Sequence, residues 1–569
     1  KGIHMINRTH GLWLSTAILT ACSSVQEPNT LEAGQTQSEP SSADIRPAPQ
    51  PEPLRETTKL NSTLADVASP HIQAQSVARS ESIASFVMPA PSPEPGVVIE
   101  ADRERYEAAA VNPIHRVLET PVSTFSVDVD TASYSNMRRF LSQGVMPPED
   151  SIRVEELLNY FDYQYEGPGE GDHPFAIHTQ LTPTPWNEHT QLLRIGVQGY
   201  EVEAESLPPM NLVFLLDVSG SMNQSNKLPL LQRAFGLLVD RLRSEDKVAI
   251  VVYAGASGVV LEPTGGDDRV SISHALNQLQ AGGSTHGSAG IQLAYQVAEA
   301  QFREGGVNRV ILGTDGDFNV GVTNLDDLKA LIEAKRESGV FFSALGFGTG
   351  NYNDQLMEEL TNLGNGTAYY IDQFREARKV FAEDLTGTLH TIAKDVKIQV
   401  EFNPAQVAEY RLIGYDNRQL RREDFNNDRV DAGDVGAGHS VTALYEIVPA
   451  QGDFRFTDPL RFQEHSGVET TASELAFVKL RYKRPDQDRS ILMSHPVEAA
   501  TEAQSMDSAM QFAAAVAGFG ELLRGSYYVD DWSIADARQL AQAAIGEDAF
   551  GYRQELLQLM QNAEALAPH

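Results

Sequence analysis

The chain predicts an α/β protein built on a doubly wound, mostly parallel sheet, flanked by an α+β N-terminal region and by a C-terminal region that is β-rich and then helical. Three observations carry this expectation. Between residues 206 and 385, strand-like runs that are apolar almost throughout alternate with amphipathic helical segments, a pattern that buries a parallel sheet on both faces. Outside that stretch the strands alternate with period two, as in LAFVKLRYKRP, and the last helices carry single apolar stripes. Finally, oxygen-bearing side chains fall just past strand ends or in Gly-rich loops, at the sheet edge where open α/β folds bind ligands.

The N-terminal segment is an address. From Met5, a short basic stretch leads into GLWLSTAILTA, which is too short to span a bilayer, where about 20 apolar residues are needed. It ends at Leu19-Thr20-Ala21-Cys22, which resembles the lipobox of bacterial lipoproteins. That resemblance implies a signal peptide over 5–21, cleavage before Cys22 and lipid attachment there. Cys22 is the only cysteine, so no disulfide can form within one molecule. Ser23, rather than Asp, follows it, which in enterobacterial-type sorting implies the outer membrane. Residues 22–104 hold runs such as RPAPQPEPLRE with no periodic apolar residues, and are expected to form a disordered Pro/Ser-rich tether reaching about 50 Å.

Composition sets further limits. At 569 residues with 41% hydrophobic content, the chain has material for several cores. Its 78 acidic against 44 basic residues leave a net charge of −34, which argues against nucleic-acid binding and against electrostatic membrane association.

Within 105–205, TFSVDVDTASYSNMRRFL predicts a strand, a turn and a helix, IRVEELLNYFDY a second helix, and FAIHTQLTPTPW and TQLLRIGVQGYEV two strands. Asp128, Asp130 and Asp162 invite a metal or acid–base reading, but no nucleophile or histidine accompanies them; Asp128 and Asp130 are expected on one face of a strand, with Asp130 suited to capping the next helix.

The 206–385 stretch runs as strand NLVFLLDV, helix KLPLLQRAFGLLVDRL, strand DKVAIVVYA, hairpin-like GVVLEPT, helix VSISHALNQL, loop GGSTHGS, helix AGIQLAYQVAEAQF, strand RVILGTD, helix LDDLKALIEAKRESG, strand VFFSALGFG, helix NDQLMEELTNLG and strand TAYYID. Asp217, Ser219 and Ser221 in DVSGSM, Thr285 in GGST and Asp315 in TDGD are brought by this order to one sheet edge, as an oxygen cage for a hard divalent cation. These motifs resemble the metal-ion-dependent adhesion site of von Willebrand factor type A domains. The resemblance implies that Ser219 and Ser221 bind the cation directly, that Asp217, Thr285 and Asp315 bind directly or through water, and that the ion is Mg²⁺, or else Mn²⁺ or Ca²⁺. Hydroxyls are neutral ligands, so the ion stays incompletely neutralised and a carboxylate from a partner can complete its shell. His286 is expected to be a loop histidine, since imidazole suits softer metals.

Residues 386–569 continue with strands DVKIQVEFNP, EYRLIGYD, HSVTALYEIVP and LAFVKLRYKRP, then helices AMQFAAAVAGFGELLRG, ARQLAQAAIG behind a Ser533–Asp536 capping box, and YRQELLQLMQNAEAL. Asp424, Asn426 and Asp428 echo a calcium loop but fail as an EF-hand, because Arg429 and Val435 occupy its glycine and glutamate positions; a turn-rich loop with Asx-type hydrogen bonds is expected. Both flanks resemble those of YfbK-like bacterial lipoproteins, from about Asn112 onward. Together these features predict a non-enzymatic, lipid-anchored envelope protein that binds a protein or matrix ligand through its metal, with no nucleic acid as partner. A structural envelope scaffold with a purely stabilising metal is the alternative. A metal-dependent hydrolase using TDGD ranks lower, because no nucleophile elbow, Walker loop or HExxH motif is present.

Overall fold

The computed structural model describes Glu104, Tyr106 and residues 110–567, apart from 170, 172, 285–286, 317–324, 351, 385–386, 388, 459–472, 500–504 and 530. The signal peptide, Cys22 and the tether expected over 22–104 therefore lie outside the described residues, but for Glu104 itself. No described helix is long and apolar enough to cross a membrane.

The chain opens with β1 (His115–Arg116), β2 (Val122–Ser126), α1 (Ala132–Ser142), α2 (Val154–Asn159), β3 (Phe175–Thr184) and β4 (Asn187–Gly199). The central stretch follows as β5 (Met210–Asp217), α3 (Leu228–Val239), β6 (Lys247–Tyr253), β7 (Ser257–Gly265), α4 (Arg269–Asn277), α5 (Gly287–Ala300), β8 (Val307–Thr314), α6 (Leu325–Glu337), β9 (Phe341–Phe347), α7 (Asp354–Leu363), β10 (Ala368–Ile371) and α8 (Phe374–Arg378). The last part comprises β11 (Thr391–Phe402), β12 (Val407–Ile413), β13 (Val435–Gly436), β14 (Ser440–Pro449), β15 (Glu474–Lys483), β16 (Ile491–Glu498), α9 (Ser508–Leu523), α10 (Ile534–Ala543) and α11 (Tyr552–Leu566).

The central sheet has the order β10-β9-β8-β5-β6-β7, parallel except for the edge strand β7. Every residue of β5 and of β8 is buried, as the continuous apolar runs require. Phe214 and Leu216 pack with Leu231 and Phe235 of α3 on one face; Val213 and Leu215 pack with Ile291 and Tyr295 of α5 and Ile332 of α6 on the other. The helices after β5 and β8 thus cover opposite faces. Adjacent parallel strands whose following helices cover opposite faces leave a crevice beyond their carboxyl ends, and the site sits there.

The flanks interleave instead of forming separate bodies. One antiparallel sheet runs β1-β12-β14-β4-β3 and the other β13-β11-β15-β16 with β2 also on β11, so each sheet pairs strands from before the central sheet with strands from after it. Ile195, Val197, Ala443 and Tyr445 from the first sheet meet Ile398, Val400, Val478 and Leu480 from the second in one core. The outer face of the first sheet, with Leu192, Leu444 and Ile413, is covered by α2, α9 and α11. Strand β16 was not expected from ILMSHPVE; it is a half-exposed edge, the place where a strand tolerates Pro496.

Smaller expectations meet the structure with mixed outcomes. Asp128 and Asp130 lie beyond β2, and Asp130 does not cap α1; Glu156 of α2 accepts from the Ser133 amide there at 2.8 Å, while Asp130 Oδ1 accepts from Ala368 of β10 at 3.0 Å. Asp162 closes its own turn by accepting from the Gln164 amide. The Asp424–Asp428 loop holds its Asx-type bond, from the Arg429 amide to Asn427 Oδ1 at 3.1 Å, and the capping box of Ser533 and Asp536 forms in both directions.

Candidate functional site

The site is built by three backbone turns at the β5/β8 crevice. Past Asp217 the chain leaves the sheet, and its first loop is pinned by Gly220 N donating to Gly283 O at 3.0 Å and Gly282 N donating to Val218 O at 2.8 Å. The Gly283 backbone lies in the left-handed region, φ +88°, and a Cβ there would stand 3.2 Å from Gly255 N, so the loop that carries Ser284 depends on glycine to lie this close. Asp217 Oδ1 accepts from the Ser219 amide at 2.8 Å, and its Oδ2 accepts from Thr314 Oγ1 at 3.3 Å. Ser219 Oγ and Ser221 Oγ lie 3.0 Å apart.

This spacing bears directly on the ion. Octahedral Mg²⁺ binds oxygen at about 2.0–2.1 Å, which sets neighbouring ligands about 3 Å apart. The two hydroxyls already span such an edge, and the donor set of hydroxyls and carboxylates is the hard oxygen chemistry that Mg²⁺, Mn²⁺ and Ca²⁺ share. The residues fit a divalent cation.

Of the five ligands expected from the sequence, Asp217, Ser219, Ser221 and Asp315 are brought to this crevice by β5, β8 and their following turns. Thr285, with His286 beside it, and Asp317 of TDGD lie outside the described residues. The structure adds a residue that the sequence did not single out. Lys227, in the turn before α3, donates from Nζ to Asp315 Oδ2 at 2.9 Å, and neither side chain has any exposure.

Both carboxylates of the site, Asp217 and Asp315, are fully buried. Burial pushes the Asp217 carboxyl up to about 6, opposed by its hydrogen bonds to Ser219 and reinforced by the Asp315 charge. Tyr253, its register partner on β6, is fully buried beside it.

A second carboxylate group, Asp128, Asp130 and Glu358, has oxygens within 4.8 Å of one another. It already holds a cation of its own: Arg418 pairs with Asp128 at 2.9 Å, with Asp130 at 3.3 Å and with Glu358. Its chemistry is that of a buried ion-pair network joining the α1–α2 segment to α7, with Arg153 reaching Glu156 and Glu358 at its other side.

Comparisons with known proteins agree with this layout. Residues 211–383 match the von Willebrand factor type A domain, 100–194 match a family described as von Willebrand factor, and 387–566 match one described as "Uncharacterized protein YfbK, C-terminal". "Uncharacterized protein YfbK" of Escherichia coli strain K12 is 45% identical over 470 residues, 81% of either chain. "Uncharacterized protein sll0103" of a Synechocystis species is 28% identical over 191 residues, 34% of this chain and 44% of that one. Among solved structures, a von Willebrand factor type A protein from Catenulispora acidiphila aligns with 69% of this chain and 91% of its own, at 15% identity and a TM-score of 0.37. None of these names carries an enzyme activity.

Proposed function

The chain belongs to the YfbK family of von Willebrand factor type A domain proteins, and from that premise we propose that it is a lipid-anchored cell-envelope protein that grips a protein or matrix ligand through a divalent cation in the β5/β8 crevice. One observation carries the reading: Ser219 Oγ and Ser221 Oγ form a 3.0 Å edge of neutral ligands beside two buried carboxylates. When bound, Mg²⁺ or a similar ion supplies a hard positive centre that takes oxygen ligands. Ser219 and Ser221 would hold it without neutralising it, Thr314 orients Asp217 through Oδ2, and the burial of Asp217 and Asp315 weakens the screening of their charges. A ligand carboxylate is the complementary group. The long-range repulsion expected from the acidic surface fades beyond about 8 Å at physiological salt, which leaves the local field to decide the contact.

The lipobox-like sequence at Cys22 supports an anchor in the outer membrane, with the Pro/Ser-rich segment as a spacer. Pull-down from envelope extract tests the binding role. Capture is expected to disappear with EDTA and in Asp217→Ala, with circular dichroism unchanged; capture that survives both would count against it. For the anchor, incorporation of labelled palmitate is expected to be lost in Cys22→Ser, and persistence of label would place the lipid elsewhere.

A further inference from the structure

Lys227 places a fixed positive charge inside an oxygen cage, which is an unusual neighbour for a site that takes a cation. Its ammonium meets Asp315 Oδ2 at 2.9 Å, with both groups fully buried. The side chain does not arrive there by default. Its stem lies across Gly348, just past β9, in the space a Cβ would fill: an added Cβ would meet Lys227 Cγ at 2.3 Å, Cε at 2.5 Å and Cδ at 2.9 Å. Gly348 also has a φ of +79°, which favours glycine. The bare, left-handed Gly348 backbone therefore leaves the path by which the stem carries the ammonium to Asp315.

We infer that Lys227 is a built-in counter-cation that sets the charge of the metal site, lowering its affinity for a divalent ion and leaving the loaded site net positive. The bookkeeping of charge is simple. Asp217 and Asp315 with Lys227 leave a single negative charge, so a bound divalent ion brings the group to a single positive charge. Without Lys227 the loaded group would be neutral and would lose its pull on an acidic ligand. The interaction is strong because the pair is buried, where charges are screened far less than at the surface. Lys227 also gives Asp315 a partner before metal arrives, so the cage holds its shape without an ion.

This inference rests on the metal-site reading, and Mn²⁺ alone, titrated against the full-length protein and followed by the electron paramagnetic resonance of free Mn²⁺, separates the two. Lys227→Met is expected to bind Mn²⁺ at least tenfold more tightly than the wild type. Gly348→Ala, which forces the intact lysine off Asp315, is expected to shift affinity in the same direction and provides the answer if Lys227→Met does not fold by circular dichroism. Unchanged or weaker Mn²⁺ binding in a folded variant would overturn the inference. Wild-type protein that binds no Mn²⁺, or binds it equally well in Ser221→Ala, would instead remove the reading beneath it.

Discussion

Arg138 of α1 donates through Nη2 to Glu376 Oε2 of α8 at 2.7 Å, with only 2% and 1% of the two side chains exposed. The same guanidinium pairs with Asp372, just past β10, and with Glu555 of α11 at 3.3 Å, so one cation ties an N-terminal helix, the end of the central sheet and the last helix together. Arg138→Met is expected to cost about 3–5 kcal/mol, because it strands buried carboxylates without their cation. Urea unfolding followed by circular dichroism measures the loss; a change under about 1 kcal/mol would mean that the pairing is incidental.

Arg411 of β12 lies between Glu446 at 3.0 Å and Glu521 at 2.7 Å, all three fully buried under α9. Breaking the triad with Arg411→Met is expected to destabilise by about 3–5 kcal/mol. Replacing all three by Met or Leu is expected to recover much of that. Recovery stays incomplete because Thr190 and Ser526, which donate to Glu446 and Glu521, lose their acceptors. Thermal melts of the two variants decide the matter: a triple variant less stable than Arg411→Met would contradict it.

Stability is expected to fall between pH 4.5 and 7 through Glu155. Burial first, and then the Asp416 and Asp128 charges, push this carboxyl up to about 7, against a smaller pull from Arg153. A carboxyl whose folded pKa is raised contributes stability that is complete below its unfolded pKa and lost as pH rises through the folded one. Glu155→Gln should therefore flatten this part of the profile and be more stable than the wild type at pH 8, by roughly 1–3 kcal/mol. Denaturation at pH 5 and pH 8 checks the sign; a variant equally destabilised at both would refute it.

Metal should stabilise the fold as well as the contact. Mg²⁺ at a hundred times its dissociation constant adds about 2.7 kcal/mol to a folded state that alone binds it. A melting temperature that rises with Mg²⁺ in the wild type and stays flat in Ser221→Ala is the expected result, with calorimetry as the measurement. An equal rise in both would point to a cation bound elsewhere.

The central sheet was legible almost residue by residue. NLVFLLDV became β5, RVILGTD became β8 and YRQELLQLMQNAEAL became α11, because long apolar runs and helical stripes specify their own conformation locally. The positions of Asp217, Ser219, Ser221 and Asp315 were legible for the same reason, since they lie at or just past the end of a strand that the pattern places. Lys227 was not. Its partner Asp315 is 88 residues away, and nothing in KLPLLQ distinguishes a buried ammonium from a solvated one. Arg138, Arg411 and Arg418 escaped for the same reason: an arginine in a helix, strand or turn reveals neither its burial nor its carboxylates until distant segments meet. The interleaving of the flanks was equally hidden, since period-two alternation identifies a strand but not its neighbour.

The pairing of early with late strands in both outer sheets has a kinetic consequence. Gln399 of β11 donates to Thr124 of β2 from 275 residues away, and Tyr445 of β14 donates to Ser123 from 322. The parallel sheet is thus an insertion whose own contacts can form first, while β2 and the paired β3 and β4 wait for β11 and β14, which are made much later. Closing loops of that size is slow, so the rate-limiting step of folding should be the zipping of the sandwich around an already formed centre. During synthesis, the waiting N-terminal strands are the part of the chain most in need of a chaperone.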